Sequence, residues 1–187
     1  MTELRLGQID GVVGAADSTE RRGWSRIPQL PDGREDAARA LFADHAYVFL
    51  RVGGQGSWDG VKLDSPGKVV VVQSGYLIAQ QLRERGYVPN EEVKSAADAL
   101  RMVSSGRFDV AVLQGFEASR LARDDLRFHG RVQEAAPPFS TVNLHLMVST
   151  DTYRRAPQRI EAIWQSIGAV RQTKEYRQLE SDAGVAH

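Results

Sequence analysis

Residues 67–123 read GKVVVVQSGYLIAQQLRERGYVPNEEVKSAADALRMVSSGRFDVAVLQGFEASRLAR, and the rhythm of this stretch decides the fold class. Val69 to Val72 is a run of β-branched residues without polar alternation, the composition of a strand buried on both faces of a parallel sheet. Gly75 to Arg85 reads as a helix closed by Gly86, which takes the left-handed stop at no steric cost. Glu92 to Lys94 reads as a short strand. Ala96 to Ser105 reads as a helix with Ala96, Leu100 and Val103 facing inward and Gly106 behind it. Phe108 to Leu113 is the next strand, and Gly115 to Arg123 the next helix. Strand and helix alternating in this order predict a small parallel sheet and an α/β class.

The same alternation extends outward in both directions. Ile9 to Ala16 reads as a strand followed by a polar turn at Asp17, Ser18 and Thr19. Glu35 to Phe42 carries Ala38, Leu41 and Phe42 on one helical face. Tyr47 to Val52 is a strand, ended by Gly53, Gly54 and Gly56. Beyond Pro137 and Pro138 comes another strand, Val142 to Ser149. Pro157 then opens a long helix at a position where its missing N–H costs nothing. Ile160, Ile163, Trp164, Ile167 and Val170 recur along it at helical spacing, which predicts a core-facing stripe.

Composition narrows the function classes. The 187 residues are 42% hydrophobic and 26% charged, normal for a chain with a real core. Lys plus Arg and Asp plus Glu are both 24, so net charge gives no reason to expect nucleic acid or anionic lipid as partner. Cysteine is absent, which removes disulfides, thiol nucleophiles and thiolate metal sites. No stretch approaches the ~18 apolar residues of a membrane span, so no membrane insertion is expected. The segment from Met1 to Gly7 has neither the basic nor the apolar region of a secretory signal.

Little in the sequence points to catalysis. His45, His129, His145 and His187 lack metal-ligand spacing, and there is no G-x-S-x-G, P-loop or G-x-G-x-x-G. Gly53-Gly54-Gln55-Gly56 has no Lys-Ser/Thr or following helix and reads as a turn. Two segments carry binding chemistry. In Ser18-Thr19-Glu20-Arg21-Arg22, after a strand, a planar guanidinium suits a carboxylate; the plainer alternative is a solvated charge run with Ser18 or Thr19 as N-cap. In Gln73-Ser74-Gly75-Tyr76, backbone N–H groups at a strand's carboxyl end suit an anion; the alternative is a tight turn between strand and helix.

These segments also carry a resemblance. Leu6-Gly7-Gln8-Ile9-Asp10-Gly11-Val12-Val13 with Thr19-Glu20-Arg21-Arg22 resembles the L-x-x-G-x-I-D-G … T-x-x-R stretch of the family 3 bacterial extracellular solute-binding proteins. Those are polar amino-acid-type receptors of ABC transporters. Gly67-Lys68 through Gly75 resembles that family's G-K-x-V-G-V-x-x-G, and Gly106-Arg107-Phe108-Asp109-Val110-Ala111 its G-R-x-D-A strand. Lys174-Glu175-Tyr176-Arg177-Gln178-Leu179 resembles its closing G-x-Y-x-x-L. The order and spacing of these motifs span nearly the whole chain.

The resemblance implies a two-lobed, periplasmic-binding-protein-like (type II) fold with lobe one incomplete. Lobe one would combine residues 1–52 and 142–187, and lobe two residues 53–141, joined by Tyr47–Val52 and Val142–Ser149. A small solute would lie between the lobes, with an ABC-transporter permease as partner, the periplasm as compartment, and neither cofactor nor metal. The family's first strand, helix and second strand have no counterpart, and an unpaired sheet edge would invite a homodimer.

By the same resemblance, Arg22 falls at the carboxylate-binding arginine with Arg21 beside it, and Asp17 and Thr19 at the rim. In lobe two, Tyr76 and Leu77 stand where hydroxyl residues commonly meet the ligand carboxylate, with Gly75 also a binding residue, and Gln114 stands where an aspartate takes the α-ammonium. A neutral amide leaves a buried ammonium unpaired, at a cost of several kcal/mol. The implied ligand is therefore small and polar or anionic rather than an ordinary α-amino acid. Two other readings share the architecture. One is a sensor or effector-binding module. The other is a dehydratase-like enzyme using Glu117 or Asp17 as acid or base.

Overall fold

The structure is a computed structural model, and it describes residues 1–182. In chain order it runs α1 (Thr2–Arg5), β1 (Gly11–Ala16), α2 (Thr19–Arg22), β2 (Ser25–Arg26), a 3-10 turn (Ala37–Arg39) and β3 (Phe42–Arg51). There follow β4 (Ser57–Trp58), β5 (Leu63–Asp64), a second 3-10 turn (Pro66–Lys68), β6 (Val69–Gln73), α3 (Ile78–Glu84), β7 (Val88–Val93), α4 (Ala96–Ser104) and β8 (Val110–Gln114). The last elements are α5 (Phe116–Asp124), β9 (Val132–Ser149), α6 (Thr150–Arg155), α7 (Pro157–Arg171) and α8 (Lys174–Asp182).

The chain divides into two compact units. One comprises residues 1–44 with those from Val142 onward, the other residues 45–141. The chain passes from one to the other twice, within β3 and within β9. These two strands are neighbours, and the residues at their ends are bonded within each unit: the Leu41 N–H donates to the Leu144 carbonyl at 2.7 Å, and the Val52 N–H to the Arg131 carbonyl at 2.9 Å.

The second unit is built on the strand order β3-β8-β6-β7. β3 runs antiparallel to β8, with Val48 opposite Val112, while β6 lies parallel to both β8 and β7. Alternate residues of each strand enter different cores. Phe49, Val71, Ala111 and Leu113 pack with Ala99, Leu100 and Val103 of α4 and Ala118 and Leu121 of α5. Val48, Val70, Val72, Val110 and Val112 pack with Ile78, Ala79 and Leu82 of α3. Neither face of these strands meets water, which is why Val69 to Val72 shows no polar alternation.

The expected glycine stops are present. Gly86 adopts φ 80°, and the next residue, Tyr87, donates its N–H to Leu82 at 2.9 Å, which closes α3. β7 runs from Val88 to Val93, so it begins four residues before the expected start at Glu92 and ends one residue before Lys94. It carries Pro89, which an edge strand tolerates because its outer side needs no donor. α3 begins at Ile78, so Gly75 and Tyr76 belong to the preceding turn rather than to the helix.

In the first unit β1 pairs antiparallel with β9, Gly11 opposite Val148, through a bulge at Gly14. β2 pairs with the same strand at Ser149 and Val148. Trp164 of α7 is fully buried against Val148 and Ile160, stacks on Tyr153 at 5.6 Å, and donates its indole N–H to the Leu146 carbonyl at 2.9 Å. Gly168 is buried where a Cβ would sit 3.0 Å from the Ala38 carbonyl, so α7 closes onto the first 3-10 turn because that residue has no side chain.

Three expectations are corrected here. Glu35 to Phe42 is not a helix: Asp36 caps only the 3-10 turn Ala37–Arg39, and bonding of Leu41 to Leu144 draws the following residues into β3. The return strand is Val132–Ser149, far longer than Val142 to Ser149, and it runs through Pro137 and Pro138. Along α7, Ile160 and Trp164 are buried and Ile167 half-buried, but Ile163 and Val170 are 37% and 53% exposed. The stripe is therefore core-facing only along one side.

Leu100 is completely buried between α4 and the sheet, whereas Leu126 is 89% exposed. Leu100→Ala is expected to lower the unfolding free energy by about 2–5 kcal/mol. Leu126→Ala should change it by no more than about 0.5 kcal/mol, both measured by urea denaturation.

The loop between α5 and β9 supplies a pH prediction. The Arg127 side chain, and after it the Arg127 backbone N–H, bond Asp125 and pull its carboxyl from the ordinary 3.8 down to about 2. A carboxyl depressed on folding stabilises the native state above its unfolded pKa. This contribution is lost as pH falls from about 3.8 toward about 2. Carboxyl-resolved NMR titration should place Asp125 near 2, and Arg127→Ala should return it toward 3.8.

Candidate functional site

The turn after β1 gathers Asp17, Thr19, Arg21 and Arg22 in the first unit. Ser18 is extended and its hydroxyl accepts from the Arg21 N–H at 3.3 Å, so it caps α2 as an N-cap residue should. This one-turn helix aims its two arginines at different partners. Arg21 folds back on the strand, and its Nη1 donates to the Ala16 carbonyl at 2.7 Å. The Ser25 hydroxyl donates to the Arg21 carbonyl at 2.7 Å, tying the turn to β2.

Arg22 bonds Asp17 instead. Its Nε donates to Asp17 Oδ2 at 2.7 Å, and its Nη2 donates to the same oxygen. The Asp17 side chain is only 8% exposed, while that of Arg22 is 48% exposed. Asp17, through its hydrogen bond and then its charge, pushes the Arg22 guanidinium above its ordinary range; Glu35 adds to this at longer reach. Thr19 is exposed at the first position of α2.

Behind this turn lies a pair that sequence reasoning missed. His145 of β9 stands opposite Ala15 and is fully buried, with Nε2 2.9 Å from Glu35 Oε1. The two residues are separated by 110 positions, and no spacing rule joins them. The Nδ1 of His145 has no hydrogen-bond partner. The other histidines are apart from it: Nδ1 of His45 lies 2.9 Å from Thr141 Oγ1, and Nδ1 of His129 lies 2.9 Å from the Arg123 carbonyl. His187 lies outside the described residues.

In the second unit, Gly75, Tyr76 and Gln114 come to one end of the sheet. β6 and β8 are parallel neighbours with Val71 opposite Ala111, so their carboxyl ends emerge side by side. The chain leaves β6 for β7 on one flank and returns to β8 on the other, which makes this the point where winding direction reverses. Open α/β sheets bind ligands outside the carboxyl ends of strands at such a point.

Two glycine turns are built there. Gly75 has φ 88° and Gly115 has φ 93°, a region that side chains rarely adopt. The Gly115 N–H donates to the His45 carbonyl at 3.0 Å, and the Ser74 N–H to the Val93 carbonyl at 2.9 Å. Gln114 ends β8 opposite Ala46. Tyr76 and Phe116 are 42% and 39% exposed, so each turn presents an aromatic ring to solvent. Phe116 carried no signal in the sequence, because a lone aromatic opening a helix reads as core.

Among the described residues no group of three or more His, Asp or Glu is placed to hold a metal ion. No described helix is long and apolar enough to cross a membrane. Of the two acid–base candidates, Asp17 is engaged by Arg22, and Glu117 is exposed in the first turn of α5.

No protein-family model and no curated protein sequence matches the chain. Solved structures do match it. The periplasmic domain of BvgS from B. pertussis gives a TM-score of 0.67 at 19% identity, over 98% of this chain and 32% of that one. A histidine kinase sensor domain with similarity to periplasmic binding proteins gives 0.67 at 18%, over 97% and 72%. The periplasmic binding protein of an arginine 3rd transport system from Legionella pneumophila gives 0.69 at 14%, over 97% and 75%. The chain thus spans about a third of the BvgS domain and about three quarters of the other two. The likeness establishes the fold: α/β, two-lobed and periplasmic-binding-protein-like.

The buried end of the Glu35–His145 pair makes its loss costly. Glu35→Ala removes the partner of a fully buried Nε2, and urea denaturation at neutral pH should show a loss of about 1–3 kcal/mol.

Proposed function

We propose that this chain is the ligand-binding part of a periplasmic solute receptor, taking a small polar or anionic molecule rather than an ordinary α-amino acid. The observation that carries the reading is the reversal point between β6 and β8, where two positive-φ glycine turns bring Gly75, Tyr76 and Gln114 to one sheet end. Asp17, Thr19, Arg21 and Arg22 are the contact set offered by the first unit. Fold alone does not dictate function; these groups carry the reading.

Gln114 sets the ligand class in the second unit. Its amide donates and accepts hydrogen bonds but brings no charge, so it satisfies an amide or hydroxyl and fails an ammonium. The exposed ring of Tyr76 adds apolar surface beside it. In a transport setting the partner would be an ABC-transporter permease.

A second reading is favoured by one comparison. The likeness to a histidine kinase sensor domain supports a sensory module whose ligand drives signalling instead of uptake. Both readings require binding without turnover. They part at the partner, a permease in one case and a kinase in the other.

Thermal-shift measurement across small acids, amides and amino acids tests the shared claim. A ligand at a hundred times its Kd stabilises by about 2.7 kcal/mol, enough for a clear rise in Tm. Compounds without an ammonium group, amides first among them, are expected to score and simple α-amino acids to fail. Tyr76→Ala is expected to weaken the response. A flat response across the whole library, with the chain folded, removes the receptor function.

A further inference from the structure

We infer that Asp17 is an internal stand-in for a ligand carboxylate: it fills the donor fork of Arg22 and so turns this site away from free carboxylates. The inference rests on the receptor reading above and narrows the chemical group that the first unit accepts. Arg22 is the arginine of this turn with an exposed side chain, since Arg21 is folded onto the Ala16 carbonyl. A half-exposed guanidinium at a strand's carboxyl end is a ready anion site, but here two of its N–H groups, on Nε and Nη2, already meet one carboxylate oxygen.

The competition is set by tethering. Asp17 is five residues from Arg22 in the chain, and its carboxylate is largely withdrawn from water. A group on so short a tether acts at an effective concentration on the order of millimolar or above. A free carboxylate at lower concentration must displace it and also meet the nearby charge of Glu35, which already acts on Arg22. A neutral acceptor, such as an amide or hydroxyl oxygen, can use the N–H groups that Asp17 leaves and brings no charge for Asp17 or Glu35 to repel. The turn therefore selects a neutral polar group, and Asp17 is its specificity-determining residue.

Asp17→Asn in the full chain tests this, because it removes the charge and keeps the volume. The probes are sodium acetate and sodium succinate against acetamide and succinamide, read by thermal shift and calorimetric titration. Circular dichroism checks the fold, and Asp17→Ser serves as a second variant should the first fail to fold. The expected result is a carboxylate response at least about tenfold tighter in Asp17→Asn than in the natural chain, and lost again in Asp17→Asn/Arg22→Gln.

The proposal is overturned if the natural chain already binds carboxylates and Arg22→Gln abolishes that, a result that leaves the receptor reading intact. It is equally overturned if amides bind the natural chain but the folded Asp17 variants gain no carboxylate response. Silence of every variant toward all acids and amides, including the wider library, defeats the receptor reading and this proposal together.

Discussion

The rest of the second unit depends on strands β6 and β8 having no side that faces water. Val70, Val71, Val72, Val110, Ala111 and Val112 are all essentially inaccessible. Successive residues point to opposite faces, so the two strands can be buried only if helices cover both sides. α3 serves one face, and α4 with α5 serves the other. Once β7 and β8 flank β6 in this way, the winding must reverse between β6 and β8. The candidate site is thus a consequence of covering a doubly buried strand pair, and the glycine turns at Gly75 and Gly115 are where the chain departs from it.

How much of this the sequence disclosed follows from how local each signal is. The valine run, the inward Ala96, Leu100 and Val103, and the stops at Gly86 and Gly106 are set by neighbours a few residues away, and the structure has them as expected. Glu35 to Phe42 departs from its helical spacing because that spacing competes with a bond from Leu41 to Leu144, about a hundred residues distant in the chain. Tertiary pairing overrides weak local periodicity. Pro137 and Pro138 likewise suggested a break, yet β9 runs through them.

The site divides along the same line. Asp17, Thr19, Arg21 and Arg22 are close in sequence, so their gathering in one turn was legible, as was the capping role of Ser18. The partners were not. Arg22 reaches Asp17 at a separation of five, which is no helical neighbour spacing, and Arg21 turns back to the strand that precedes it. The Glu35–His145 pair joins β9 to the segment before the first 3-10 turn across 110 positions, a meeting that only the fold supplies.

The charge logic of the two contact sets agrees although each unit is built separately. At the end of β8 the residue is Gln114, an amide with no net charge. In the turn after β1 the arginine is neutralised by Asp17, so it presents hydrogen-bond donors with little net attraction for an anion. An unpaired charge is expensive to desolvate, and neither proposed contact set, taken by itself, presents a bare one. Each therefore suits a partner that gives and takes hydrogen bonds better than one that needs a counter-charge.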